Sequence, residues 1–306
     1  MHLILAYAAT LRHPQALAHL QLPHLQRALA LMQAHPSVTL EEDTPWLAHE
    51  AAHAQALGWP AQGPWPWAAW ATHSTSALPQ AWISPAHWQL GMDQALMHPT
   101  EQLGLTLPQA QALLNSLQPF LQEDGLQVQL HSPTLWHAQG AILADIRSAS
   151  LERMAGAQVK PWLTPESLPA PLRRLQSEAQ MLLYHHPVND ERAAQGLPAI
   201  NALWFHGAGS PQPTPGADTT RCIQDLYAPS LAHTAAAWAA AWHTLDATVL
   251  RDFADTLERT GQGQLTLCSE HTCQRWQAVQ PTSWWQVWKR KPRVTPAAAL
   301  QRLLTP

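Results

Sequence analysis

Between Gly58 and Pro85 the chain reads GWPAQGPWPWAAWATHSTSALPQAWISP. Pro60, Pro64, Pro66, Pro79 and Pro85 each remove a backbone donor and fix φ, so no long helix or strand is expected to cross this segment. Regular structure has to be assembled from the sequence on either side. The segment itself reads as a packed irregular connection, its tryptophans anchored against a core; a platform for an aromatic ligand is the other use of such rings.

On the N-terminal side, residues 3 to 8 (LILAYA) predict a short buried strand, and 14 to 34 predict a helix kinked near Pro23. Beyond the connection, 87 to 97 suits one or two strands. Thr106-Leu107-Pro108-Gln109 has the form of a capping box with proline in the first turn, where its missing N–H costs nothing. Leu107, Ala110, Leu114, Leu117 and Leu121 then line one helical face, and Gly125 is placed to end that helix in a left-handed turn. Leu126, Val128 and Leu130 alternate with glutamines and predict a half-buried strand. A second helix starts at Pro171 and is perturbed at Pro187; a short helical piece from Asn189 ends at Gly196. A strand over 202 to 205, a helix over 231 to 260 with Trp238, Trp242, Leu245, Val249, Phe253 and Leu257 inward, and a strand over 264 to 268 complete the pattern.

With 46% hydrophobic and 12% charged residues the chain is globular. A net charge of -4 gives no general attraction to nucleic acid or anionic membrane. There is no apolar run approaching the roughly 18 residues of a membrane helix and no cationic leader before residue 3, so a cytoplasmic address is expected. Cys222, Cys268 and Cys273 are too few for a disulfide framework. The 18 histidines are scattered singly and read as surface or boundary residues; the 16 tryptophans read mainly as core.

One stretch stands apart: HHPVNDERAAQGLPAINALWFHGAG, residues 185 to 209. His186-Pro187-Val188-Asn189, Arg192, Gly196, Pro198, Asn201, Trp204, Gly207 and Gly209 resemble the HPVN-x-x-R…G-x-x-P-x-N-x-x-W-x-x-G-x-G signature of archaeal-type cofactor-independent phosphoglycerate mutases. Over most of its length the chain is also similar to the bacterial RpfE-type regulatory proteins, in SPAHWQLGMDQALM, LTLPQAQALLNSLQPFLQEDGL, SEAQMLLYHHPVN, NALWFHGAG and the aromatic-basic WWQVWKRKPR. Ser177 stands where that family usually has Asn. The resemblance implies an α/β fold: a core sheet with helices like a degenerate alkaline-phosphatase-type domain, formed by 1–81 with 166–306, and an inserted α+β unit over 82–165. Parallel core strands are expected near residues 3, 202 and 264.

The mutases use two divalent metal ions and a serine nucleophile, which requires several Asp and His ligands. The resemblance puts the first ligand in an Asp-Gly pair after the first strand; here the sequence is Ala6-Tyr7-Ala8-Ala9-Thr10. Glu270-His271 is the nearest echo of a late Asp-His pair. Cys268, His271 and Cys273 offer a zinc or redox cluster, but a second ligand pair is lacking, so boundary thiols and a surface histidine are the preferred reading.

Two readings of the signature are compatible. In one, Pro187 and Gly196 reverse the chain, Asn189 or Asn201 caps backbone N–H groups, and Leu203 and Trp204 enter the core. In the other, His186, Asn189, Arg192 and Asn201 converge on a phosphate or carboxylate, with Gly207 and Gly209 adding backbone donors. At the C-terminus, Trp284, Trp285 and Trp288 beside Lys289 and Arg290 read either as a docked closing helix or as a surface for a protein, nucleic acid or anionic lipid. The function expected is that of a non-catalytic regulatory or scaffold protein without a cofactor and with a protein partner. The alternative is a mutase or phosphotransferase with two cations such as Mn or Mg.

Overall fold

Short apolar strands organise the chain into two main sheets. A computed structural model describes residues 1–92, 94–216, 219–279 and 294–305. In chain order, β1 (His2–Leu5), α1 (Pro23–Ala30), β2 (Met32–Thr39) and α2 (Ala48–Leu57) come first. They are followed by α3 (Trp67–Ala71), β3 (Gln80–Ala86), β4 (Trp88–Leu90), β5 (Ala95–Met97), α4 (Leu107–Glu123), β6 (Gln127–Ser132) and β7 (Leu135–Gln139). Then come α5 (Ala170–Tyr184), α6 (Pro187–Ala194), β8 (Ala202–Gly209), β9 (Thr220–Ile223), α7 (Tyr227–Ser230), α8 (Ala235–Leu245), α9 (Arg251–Thr260), β10 (Gln264–Cys268), β11 (Thr272–Ala278) and α10 (Pro296–Gln301). Contacts divide the chain into one unit of Met1–Ala61 with Thr214–Pro306 and a second of Gln62–Pro213.

The first unit is built on a mixed five-stranded sheet of order β2-β11-β10-β1-β9. β1 runs parallel to β10 and β9, while β11 is antiparallel to β10 and β2. Successive side chains of a strand face opposite ways, and both faces are covered. Leu3, Leu5, Leu265 and Leu267 join the large core with Leu25, Leu29, Trp238, Trp242, Phe253 and Leu257. Ile4 and Cys268 pack against Ala48 and Ala52 of α2.

The expected helix over 231 to 260 is a rod of α8, a π turn over Asp246–Leu250, and α9, ended by Gly261 at φ 65°. The wide turn brings Leu245 and Leu250, five residues apart, into the same core, so Leu250 takes the inward place expected of Val249. Asp246, buried within that turn, accepts the backbone N–H groups of His24 (3.1 Å) and Leu25 (2.8 Å) at the start of α1. A carboxylate there satisfies donors that the helix itself leaves open.

The second unit is built on an antiparallel sheet of order β6-β7-β3-β8. Ala81, Ile83, Val128, Trp136, Ala138, Leu203 and Phe205 face the inward stripes of α4 and α5. The opposite side carries a smaller cluster around Trp88, Met97, Met154 and Trp204. α4 opens with the expected capping box, Thr106 and Gln109 exchanging backbone and side-chain bonds, and Gly125 follows it at φ 74°.

Several expectations are corrected. Residues 14 to 34 are a 3-10 turn (Pro14–His19), α1 and the start of β2, because pairing with β11 claims the chain from Met32 onward. The Pro-Trp segment contains a central strand, β3, paired on both sides. Pro85 is tolerated there because Ala86 O faces β8, accepting Asn201 N at 3.0 Å, so the Pro85 nitrogen points to the side where pairing with β7 has ended at Ile83. The strand near 202 does not join those near 3 and 264: β8 is antiparallel to β3, and β9 takes the expected place beside β1. The expected inserted unit of 82–165 is correspondingly wider, since pairing with β3 draws β8, and packing draws α5, into the second unit.

Candidate functional site

The signature follows α5 and occupies α6 and β8, all within the second unit. His186 is the N-cap of α6, with Pro187 at the first helical position. Its Nδ1 accepts Val188 N at 3.2 Å and its Nε2 lies 2.9 Å from Ser116 Oγ. Accepting at Nδ1 fixes the tautomer, so Nε2–H donates to the serine. Burial holds the imidazole pKa below its ordinary value.

Asn189 bridges two strands of chain across the short helix. Its Nδ2 donates to Leu183 O and Ile200 O, both at 2.8 Å, and its Oδ1 accepts Ile200 N at 2.7 Å. Asn201 makes the equivalent two-way clamp on Trp88, accepting its N–H at 2.7 Å and donating to its carbonyl at 3.0 Å. A side-chain amide is suited to both tasks, since it carries an acceptor and donors side by side. Gly196 stands between them at φ 69°, a left-handed position that favours glycine.

Arg192 is 0% exposed. Nε donates to Pro198 O at 2.8 Å, Nη1 to Gln109 Oε1 at 3.0 Å and Nη2 to Leu103 O at 2.6 Å. All three acceptors are neutral oxygens, and burial pulls the guanidinium pKa down. The fork that would seat an anion is directed into the fold.

Gly207 and Gly209 are shaped by packing. A Cβ on Gly207, at φ 59°, would meet Trp67 Cβ at 3.1 Å and Trp82 Cδ1 at 3.2 Å; one on Gly209 would meet Pro66 Cβ at 3.1 Å. The glycines allow the chain around α3 to lie directly on β8. Beside them His206 is buried, bonded to Ser84 Oγ at 3.0 Å, and burial pushes its pKa down to about 3. Trp204 is buried and donates to Ala149 O at 2.9 Å. The sequence therefore brings His186, Asn189 and Arg192 into neighbouring bonds around α6 without turning their polar atoms toward a common ligand. Ser116, Gln109 and Gln176, whose Nε2 holds Leu203 O at 2.9 Å, are partners that the spacing of the signature does not disclose.

In the first unit, Ala6, Tyr7, Ala8, Ala9 and Thr10 follow β1, where the resemblance implies a metal ligand, and all five are buried. Trp238 Nε1 donates to Tyr7 O and Trp242 Nε1 to Ala8 O, each at 3.2 Å. The Tyr7 ring, on a backbone with φ 55°, packs against Tyr227 and His49. Thr10 Oγ1 donates to Glu270 Oε1 at 2.7 Å. Glu270, the nearest echo of the late acidic pair, thus accepts from a hydroxyl on the segment after β1. His271, on the same turn, uses its carbonyl to accept Leu40 N. Among the described residues no group of three or more His, Cys, Asp or Glu is placed to hold a metal ion. The side-chain donors gathered just after β1 are the Thr10 hydroxyl and the Glu270 carboxylate. Trp284, Trp285, Trp288, Lys289 and Arg290 lie outside the described residues.

No protein-family model and no curated protein matches the chain. Among solved structures it is similar to the PH0037 protein from Pyrococcus horikoshii, with 10% identity over 90% of this chain and 86% of that one and a TM-score of 0.48. It is also similar to a cofactor-independent phosphoglycerate mutase from Thermoplasma acidophilum, with 14% identity over 99% and 98% of the two chains and a TM-score of 0.36. Among the described residues no helix is long and apolar enough to cross a membrane.

Proposed function

We propose that this chain is a non-catalytic regulatory or scaffold protein, built on a phosphoglycerate-mutase-like, alkaline-phosphatase-type frame. The observation that supports this reading best is the end of β1. A phosphotransfer centre with two cations about 4 Å apart needs several carboxylate and imidazole donors around them. Here alanines, a tyrosine and a threonine hydroxyl stand at that place, and two indole N–H groups bond the carbonyls. The signature residues support the same reading, because their polar atoms serve as internal clamps. The partner is a protein, and the Trp-basic sequence over 284–293 is the part of the chain whose composition suits such a contact.

The test is direct. Purified protein is incubated with 3-phosphoglycerate and Mn(II) or Mg(II), and formation of 2-phosphoglycerate is followed. No turnover is expected, in either metal, above that of a heat-denatured sample. Turnover that depends on metal and is lost in Glu270→Gln would overturn the proposal in favour of a mutase with an unconventional ligand set.

A further inference from the structure

The three cysteines come together on the face of the five-stranded sheet that α2 covers. Cys268 is buried there with Ile4, Ala48 and Ala52, and Cys222 and Cys273 pack at the edge of the same cluster. Cys268 and Cys273 stand directly opposite each other in the β10–β11 ladder. The Cys268 carbonyl accepts Ala8 N at 2.7 Å, on the β1 side, while Ser269 N reaches Thr272 O at 2.8 Å. Cys268 and Cys273 are therefore a non-hydrogen-bonded pair, the kind with Cα atoms about 4.5 Å apart and the closest side chains. That separation lies within the range a disulfide spans. Cys222 is on β9, beyond β1, so it is two strand spacings or more from Cys268, about 9 Å, too far to bridge without backbone movement.

The two thiols are not equivalent. The Cys268 thiol faces the Cys273 sulfur across the ladder. That neighbour, with Arg275 on the same face and the backbone of Val38, draws the Cys273 pKa below its ordinary value against the effect of burial. Burial first, and then the neighbouring sulfur, pushes the Cys268 thiol up. A partly exposed thiol with a lowered pKa next to a buried second thiol is the arrangement of an attacking and a resolving cysteine.

We propose that Cys268 and Cys273 form a redox-responsive dithiol, which a peroxide oxidises to a cross-strand disulfide. The Cys273 thiolate attacks one peroxide oxygen: an S–O bond forms, the O–O bond breaks, and the departing hydroxide leaves as water with the proton Cys273 gave up. The Cys268 thiol then loses its proton as its sulfur attacks the Cys273 sulfenic acid; the S–S bond forms, the S–O bond breaks, and a second water departs. One peroxide is reduced by two electrons and two thiols are oxidised. The new bond closes the turn 269–272, which holds Glu270 against Thr10 and offers the Glu270 and His271 carbonyls to Ala48 N and Leu40 N. Oxidation thereby pins a turn that joins β1, β2 and α2.

The experiment uses the reduced full chain treated with hydrogen peroxide, followed by alkylation, intact mass and non-reducing peptide mapping. The expected product has lost two hydrogens, links Cys268 to Cys273, leaves Cys222 alkylatable and reverts with dithiothreitol. In Cys268→Ser, dimedone is expected to trap Cys273 as the sulfenic acid, with no link formed. If that variant does not fold, the wild-type map decides alone. Cys268 and Cys273 both remaining alkylatable under peroxide that oxidises the urea-unfolded chain would overturn the proposal, and so would a link through Cys222.

Discussion

Replacing Asn189 tests whether the signature is a structural clamp. Asn189→Ala removes three hydrogen bonds, to Leu183 O, Ile200 O and Ile200 N. Asn189 is only 8% exposed, so water cannot readily replace the amide; Ile200 N and Ile200 O lose their partner, while Leu183 O keeps His186 N at 3.1 Å. Each such group costs about 1–3 kcal/mol; with partial relaxation the total is about 4 kcal/mol. At a urea m-value of about 2 kcal/mol/M, the unfolding midpoint of the second unit moves down by about 2 M. Asn189→Asp is expected to do no better: it keeps an acceptor for Ile200 N–H but sets a second oxygen against two carbonyls. The assay is urea unfolding by circular dichroism, with hydrogen exchange read at the Ile200 amide, which loses its acceptor in Asn189→Ala. An Asn189→Ala midpoint within about 0.5 M of wild type, roughly 1 kcal/mol by the same m-value, would refute the clamp.

Three further outcomes follow from the geometry. Gly207→Ala, at positive φ and against Trp67 and Trp82, is expected to cost about 2–4 kcal/mol, seen as a lower thermal midpoint. Trp242→Phe keeps the ring in the core but leaves Ala8 O without its indole donor; a loss of about 2 kcal/mol is expected in chemical denaturation of the first unit, whereas a solvated cleft at the end of β1 would make it near neutral. His206 has a folded pKa depressed to about 3 by burial, against about 6.5 unfolded. The unfolded state therefore binds the proton first: the stability contributed is full above about pH 6.5 and is lost as pH falls toward 3, with a limiting slope near 1.4 kcal/mol per pH unit. Denaturation midpoints measured between pH 7.5 and 5 check this, and His206→Asn is expected to flatten the dependence.

Local chemistry made some of this architecture legible. The Thr106 cap, the leucine stripe after it and Gly125 define α4 without reference to anything distant, and β10 spans the five residues expected of it. β2 escaped because it is an edge strand whose side chains are mostly exposed, so MQAHPSVT carries no burial rhythm; Pro36 sits near the irregularity in its pairing with β11. β8 carries a nearly continuous apolar run, the usual mark of a buried parallel strand, but here α5 covers one face and α3 lies against the strand. At the signature, proline, glycine and tryptophan positions announced turns and core. What the arginine and the amides bond was not legible, because Gln109, Leu103 and Trp88 reach them only through the tertiary fold.

The π turn at Asp246–Leu250 separates two properties that an ordinary helix ties together. Each helical residue turns the chain by about 100°, so the same residues wound as an unbroken α-helix would swing Phe253 and Leu257 away from the core that holds Leu245. The wide turn absorbs one residue and keeps both halves of the rod in phase. Removing a single residue there would straighten the backbone and leave the inward side chains where they are, whereas an insertion within either half has no such slack.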